Sequence, residues 1–301
     1  LSTNSWAALS ASTVWECRTS GSNLNGAGFV AGTGTDYSQS DTAILSLTDL
    51  ACANNTTLTS ATGGFTAAMI GNLIYIASGT NFTAGYYEIK TRSDTNTITL
   101  DRNPTNGSNA TSGAGKVGGA TDHPQTIASS VVAGNTIWIA SGTYTRISGS
   151  SVLDTSVEGG TSTPITWIGY KTTRVPCYGA DRPLFNGAGT YEPTIYASNG
   201  EVYKNIRVTG STNQGIRNND SGTYINISSY NNAGAGFFAR GSFLWCEAYG
   251  NTYGFKNTYD IFAYYCYSHD NSNNGFYCDL GGFFQGCIAE SNSASGFVVG
   301  Y

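Results

Sequence analysis

Charge is the scarcest commodity in this chain. Only 11% of its 301 residues are Asp, Glu, Lys or Arg, where a soluble domain ordinarily carries about a quarter. The 14 basic residues form no run and the net charge is -5, so the basic stripe that phosphate backbones require is missing and nucleic acid is excluded as a partner. Methionine occurs once, and Lys and Glu, which fill the exposed faces of helices, are sparse; a mainly helical fold is excluded with them. No apolar stretch approaches the length of a membrane-spanning helix, and the opening LSTNSWAALS has neither the basic start nor the apolar stretch of a secretion signal, so no membrane insertion is expected. Histidine occurs twice, and the seven cysteines (Cys17, Cys52, Cys177, Cys246, Cys266, Cys278, Cys287) show none of the short paired spacings of a structural zinc site. No metal and no cofactor is expected.

What the chain has in abundance is Gly, Ser, Thr and Asn, with 20 Tyr and 13 Phe. That is the composition of short strands joined by many turns. The length allows one large all-β domain or two smaller ones.

The last hundred residues repeat. Aligned on a glycine, the segments VTGSTNQGI, ISSYNNAGAGF, CEAYGNTYGF, CYSHDNSNNGF and CIAESNSASGF place Gly215, Gly236, Gly254, Gly275 and Gly296 at intervals of 21, 18, 21 and 21 residues. One coil therefore takes about twenty residues. An apolar or cysteine position leads each unit (Ile206, Ile227, Cys246, Cys266, Cys287), and a small residue follows two later (Val208, Ser229, Ala248, Ser268, Ala289), which is the period of a strand. Asparagine recurs in the following turn (Asn232, Asn251, Asn271, Asn292), then glycine and an aromatic (Phe237, Phe255, Phe276, Phe297). If coils stack in register at about 4.8 Å, like residues lie over like: amides hydrogen-bond along the axis and rings stack inside. In that frame Cys246, Cys266 and Cys287 form a column of small inward hydrophobes. Cys278 falls outside it and is the candidate free thiol. The glycines are expected to supply the dihedrals of sharp corners. Coils of a parallel β-helix are expected from about Gly134 to Tyr301.

Upstream, TIASSVV (Thr126 to Val132) reads as a short amphipathic stretch and GNTIWIASGTY (Gly134 to Tyr144) as turn, strand and turn; PITWIGY, PLFNGAG and VYKNIRVTG follow as strands. The order TI, AGNTIWIASGTYT, WIGY resembles the start of proteins in the pectate-lyase-like, right-handed parallel β-helix superfamily, where a short helix caps the first coil. WECRTSGSNLNGAGF (Trp15 to Phe29) is similar to the first strand and turn of such proteins. The resemblance implies an all-β fold in three parts: an N-terminal strand and cap over residues 1–32, an inserted β-rich module over 33–118, and the β-helix over 119–301. Within the insertion, strands are expected at LIYIA, YYEIK and TITLD, and the module resembles one found in bacteriophage tail-spike and other virion proteins. SNATSGAGKVGGA (Ser108 to Ala120) reads as a flexible joint.

The fold permits an enzyme without implying one. If the small residue of each coil points inward, its neighbours Glu247, Tyr249, Tyr267, His269 and Glu290 share one outer face. Glu247 and Glu290 would then lie two coils apart, about 10 Å of rise, at or beyond the separation of an inverting glycosidase pair. The face is open to three readings: catalysis by Glu247 and Glu290 with His269, glycan binding by Tyr249, Tyr267 and His269, or mere solvation. Galacturonan hydrolases of the superfamily carry Gly-His-Gly and Arg-Ile-Lys, and neither string occurs here; Asp181-Arg182-Pro183 offers a lyase only one acid and reads as a turn. His269 followed by Asp270 reads as a surface pair, and no catalytic triad is nominated.

The expectation is therefore a structural component of a bacteriophage virion (spike, fibre or capsid decoration), a rigid rod that forms a homotrimer, meets other virion proteins and binds host-surface polysaccharide. The alternatives are a depolymerase acting on capsule or lipopolysaccharide, and a secreted protein of a bacterial cell surface. Because GFVVGY breaks off inside the repeat, the rod is expected to continue beyond Tyr301 or to be covered by a partner.

Overall fold

The computed structural model describes residues 9–160 and 162–300; most of the opening decapeptide (residues 1–8) and Tyr301 lie outside the described residues. Short helical turns at Ala67–Met69, Pro124–Ile127 and Gly179–Asp181 interrupt a chain whose other regular elements are strands. Two compact units divide at Ile137 and Trp138.

In the first unit a closed antiparallel barrel runs Leu45–Cys52, Thr57–Ser60, Thr97–Leu100, Gly85–Asp94, Leu73–Thr80, Ala110–Val117 and back to Leu45–Cys52. Alternation sends Leu50, Leu58, Ile74, Ile76, Ile89 and Ile98 into a shared core. The strands expected at LIYIA, YYEIK and TITLD are three of the six. Ser108 to Ala120, however, is no flexible joint: Ala110–Val117 is hydrogen-bonded on both sides and closes the barrel. Its glycines serve packing. A Cβ on Gly113 would stand 2.5 Å from a ring carbon of Phe82 and 2.8 Å from Leu50, and one on Gly115 would stand 2.8 Å from Leu50.

The second unit is a β-solenoid of about six turns, each of about 21 residues. Its strands pair in parallel. One sheet, seven-stranded among the described residues, stacks Thr143–Thr145, Leu184–Tyr191, Arg207–Ser211, Ser228–Tyr230, Glu247–Tyr249, Tyr267–His269 and Ile288–Glu290. The other passes through Ile165–Tyr170, Glu201–Lys204, Ile216–Ile225 and Ala235–Leu244, then divides into two rows.

The columns are in register. Phe237, Phe255, Phe276 and Phe297 stack at 4.7, 4.7 and 4.8 Å between ring centroids, within 9° of parallel. Burying such a ring is worth about 1.5–3 kcal/mol, and all but Phe297 are fully buried. Asn232 Nδ2 donates to Asn251 Oδ1 (3.0 Å) and Asn271 Nδ2 to Asn292 Oδ1 (2.8 Å). Each Oδ1 also accepts the backbone N–H of the asparagine one coil earlier: Asn251 from Asn232, Asn271 from Asn251, Asn292 from Asn271. Cys246 and Cys266 are buried thiols and Cys287 a half-buried one. Hydrogen bonding of the Cys266 thiol to Cys246 first, with burial adding to it and Cys287 opposing, pushes that thiol up. Cys278 lies outside this column, yet it too is buried and donates to Tyr259 O at 2.9 Å. Its thiol is free, as expected, but so are those of the other six cysteines.

The repeating glycines do not make the corners. None of Gly215, Gly236, Gly254, Gly275 or Gly296 has positive φ. They are small because the next coil presses on them: a Cβ on Gly254 would stand 1.9 Å from Ser268 Oγ and 2.6 Å from Gly275 O, and one on Gly275 2.8 Å from Gly296 O. The left-handed turns lie elsewhere and bracket each of the last five strands of the seven-stranded sheet. Asn205, Asn226, Trp245, Tyr265 and Gly286 stand before it, and Gly210, Asn231, Gly250, Asp270 and Ser291 after it, all with φ between 51° and 70°.

Candidate functional site on the seven-stranded sheet

The brackets reverse the chain over three residues, and the middle one turns inward. Ser229, Ala248 and Ser268 are buried, so their neighbours face out in two columns. One runs Arg207, Ser228, Glu247, Tyr267, Ile288; the other runs Thr209, Tyr230, Tyr249, His269, Glu290. The five candidates Glu247, Tyr249, Tyr267, His269 and Glu290 thus share one surface.

Hydrogen bonds occupy the acids. Glu247 Oε2 accepts from Ser228 Oγ at 2.8 Å, and its Oε1 lies 3.4 Å from His269 Nε2. The other ring nitrogen of His269, Nδ1, is 2.8 Å from Asp270 Oδ2. Tyr267 donates its hydroxyl to Glu290 Oε2 at 2.7 Å, which holds the phenol above its ordinary range. Behind Ser228 sits Arg182, 7% exposed, whose Nη2 donates to Ser228 Oγ (2.7 Å) and Nη1 to Asn226 O (2.8 Å). Burial lowers its pKa, partly offset by Glu247. Burial also raises that of Tyr249, with Glu247 adding to the effect.

This arrangement has chemical consequences. Glu247 pairs in register with Tyr267, and His269 with Glu290, so the two glutamates stand two coils apart, about 10 Å by rise alone. An inverting glycosidase needs a water between its carboxyls, which lie about 6.5–9.5 Å apart. Here the tyrosine and histidine of the intervening coil each bond one of the two acids. His269 turns both nitrogens to carboxylates, so it has no hydroxyl or thiol to activate.

Ring faces are used up as well. Tyr230 lies on Tyr249 (5.0 Å, 3°), Tyr249 on His269 (5.0 Å, 12°) and His269 on Tyr267 (4.1 Å, 22°). A ligand meets these rings at their edges. Rings of another kind stand at the preceding bracket: Trp245 and Tyr265, 59% and 54% exposed. Both have φ of 54°, where a bulky side chain costs about 1 kcal/mol or more relative to Asn or Gly. The ring of Tyr265 lies over Gly286, where a Cβ would approach it to 2.6 Å. Nothing in the repeat pattern marks these two residues as left-handed, and sequence reading passed over them; Arg182 it read only as part of a turn.

Another buried acid lies inside the solenoid. Glu201, 1% exposed, accepts from Trp167 Nε1 (2.9 Å), Thr155 Oγ1 (2.7 Å), Ser198 N (2.7 Å) and Tyr203 OH (2.9 Å). Burial outweighs these donors and pushes its pKa up to about 7. Among the described residues no group of three His, Cys, Asp or Glu side chains is placed to hold a metal ion. Comparisons with protein-family models, curated proteins and solved structures return no match.

Proposed function

We propose that this chain is a structural component of a bacteriophage particle, a spike, fibre or capsid decoration. The solenoid serves as a rigid rod, wound right-handed as parallel crossovers overwhelmingly are, and meets host-surface polysaccharide along the seven-stranded sheet. The observation that carries this reading is the engagement of the acids: Glu247 is held by Ser228 and His269, Glu290 by Tyr267, and the two stand two coils apart in different columns. Such a face can bond sugar hydroxyls, but two coils of rise, about 10 Å, already put its acids at or beyond the separation of an inverting pair. Rigidity follows from the Asn and Phe columns, which tie each coil to the next. Homotrimeric association is part of the proposal. It is supported by Phe262 and Phe283, 43% and 48% exposed, whose apolar surface side-by-side packing would remove from water.

The test is incubation with capsular and lipopolysaccharide preparations, following chain length and new reducing or unsaturated ends. Binding without shortening is expected. Cleavage that is lost in Glu247→Gln or Glu290→Gln would replace this reading with a depolymerase.

A further inference from the structure

Within the solenoid the left-handed bracket before the short sheet is filled successively by Asn205, Asn226, Trp245, Tyr265 and Gly286. Asn and Gly are the residues this backbone favours. Trp and Tyr are among those it resists, and here they are neither buried nor stacked on one another. Packing inside the protein offsets only part of the cost of holding them, since more than half of each residue faces solvent. Gly286 leaves the Tyr265 ring a seat that any side chain would fill. Strain kept at exposed aromatics points to a surface task.

The ground beside them is acidic. On the same three coils, Glu247 is 38% exposed, Asp270 65% exposed and Glu290 exposed. Arg182, buried behind Ser228, offsets the charge of Glu247 in part, and Arg207, half-buried and bonded to Arg182 O at 3.1 Å, lies two coils back from Glu247; His269 lies against Glu247 and Asp270. Two solvent-facing rings flanking hydrogen-bonding carboxylates is the composition of a sugar site, with aromatic faces for the apolar side of a pyranose and acceptors for its hydroxyls. The rings follow each other by one coil, about 4.8 Å, close to the length one pyranose adds to an extended chain. The sign of the charge selects among glycans: uronic or sialic acids would be repelled, and hydroxyls or ammonium groups accepted.

We infer that the ridge of Trp245 and Tyr265, with the acidic strip beside it, binds a neutral or amino-sugar polysaccharide laid along the solenoid axis. The inference rests on the glycan-contact reading above and names the class of glycan and the residues that grip it.

The experiment measures retention of the protein on immobilised chitosan oligosaccharides, a neutral glucan and polygalacturonate, for the parent, Trp245→Asn and Tyr265→Asn. Asparagine suits the left-handed backbone, so these variants remove the ring and relieve the strain together. Binding to the glucan or chitosan but not to polygalacturonate is expected, weakened at least about tenfold in each variant, with a thermal midpoint equal to or above the parent's. Equal binding by parent and variants, or a preference for polygalacturonate, overturns the inference alone. A lowered midpoint with unchanged binding also overturns it, since the rings would then be structural. Failure of the parent to bind any polymer removes the glycan-contact reading and the inference with it. Shortened polymer in the eluate counts against the non-catalytic rod but not against the ridge.

Discussion

Trp167 donates its indole N–H to Glu201 Oε1 at 2.9 Å in the interior of the solenoid, while three further donors converge on Oε2. The carboxyl has a way to take a proton there. If Oε2 is protonated it can donate to Thr155 Oγ1, which then turns its own hydrogen to Tyr196 O, 3.2 Å away. Trp167 offers no such exchange, because an indole only donates.

The first prediction concerns pH. With the folded pKa raised from 4.5 to about 7, the unfolded chain binds fewer protons between those values. The stability linked to Glu201 is therefore fully present below about pH 4.5 and is lost as pH rises through about 7, amounting to about 3 kcal/mol. Urea unfolding from pH 5 to 8 should show this fall. In Glu201→Gln the fall should flatten, from a starting point about 1–3 kcal/mol lower because the amide must leave a buried donor unmatched. Parallel pH curves for parent and variant would refute the assignment.

Removing one amide from the asparagine column tests its worth. Asn251→Ala takes away the acceptor of both Asn232 N and Asn232 Nδ2 and the donor to Ser229 O. A loss of about 1–3 kcal/mol is expected, seen as a lower urea midpoint. A change within about 0.5 kcal/mol would mean that water replaces the ladder.

Gly254→Ala separates close approach from turn geometry. φ at this position is not positive, so alanine meets no dihedral penalty. Its Cβ would instead collide with Ser268 Oγ and Gly275 O, and a cost of about 1–3 kcal/mol is expected. Adding Ser268→Ala should recover part of it, whereas a corner-dihedral role predicts no recovery.

The Asn and Phe columns were legible in the sequence because a solenoid prints its register as a repeat, and a column tolerates few residue types. The glycines were legible as positions but not as causes: a glycine at a turn and one beneath a neighbouring backbone look alike in a string of letters. Trp245 and Tyr265 gave no sign of their backbone state, since sequence signals of a left-handed turn are Gly, Asn and Asp. Nothing in the sequence set Glu201 apart, because its four donors come from Thr155, Trp167, Ser198 and Tyr203, brought together only by coiling. Ser108 to Ala120 was misread for the opposite reason, as small residues suit a linker and a crowded barrel strand equally well.

The columns keep step while the chain between them does not. Ile216 to Phe237 spans 21 residues, Gly222 to Gly241 spans 19, and Phe237 to Phe255 spans 18, yet all are register partners. The slack is taken up at bends, such as the irregularity between Asn218 and Ser221. Phase in this molecule is set by what stacks, not by how many residues are counted, so the bends are free to gain or lose length over time. A surface loop could be rewritten there while the scaffold beneath it kept its pitch.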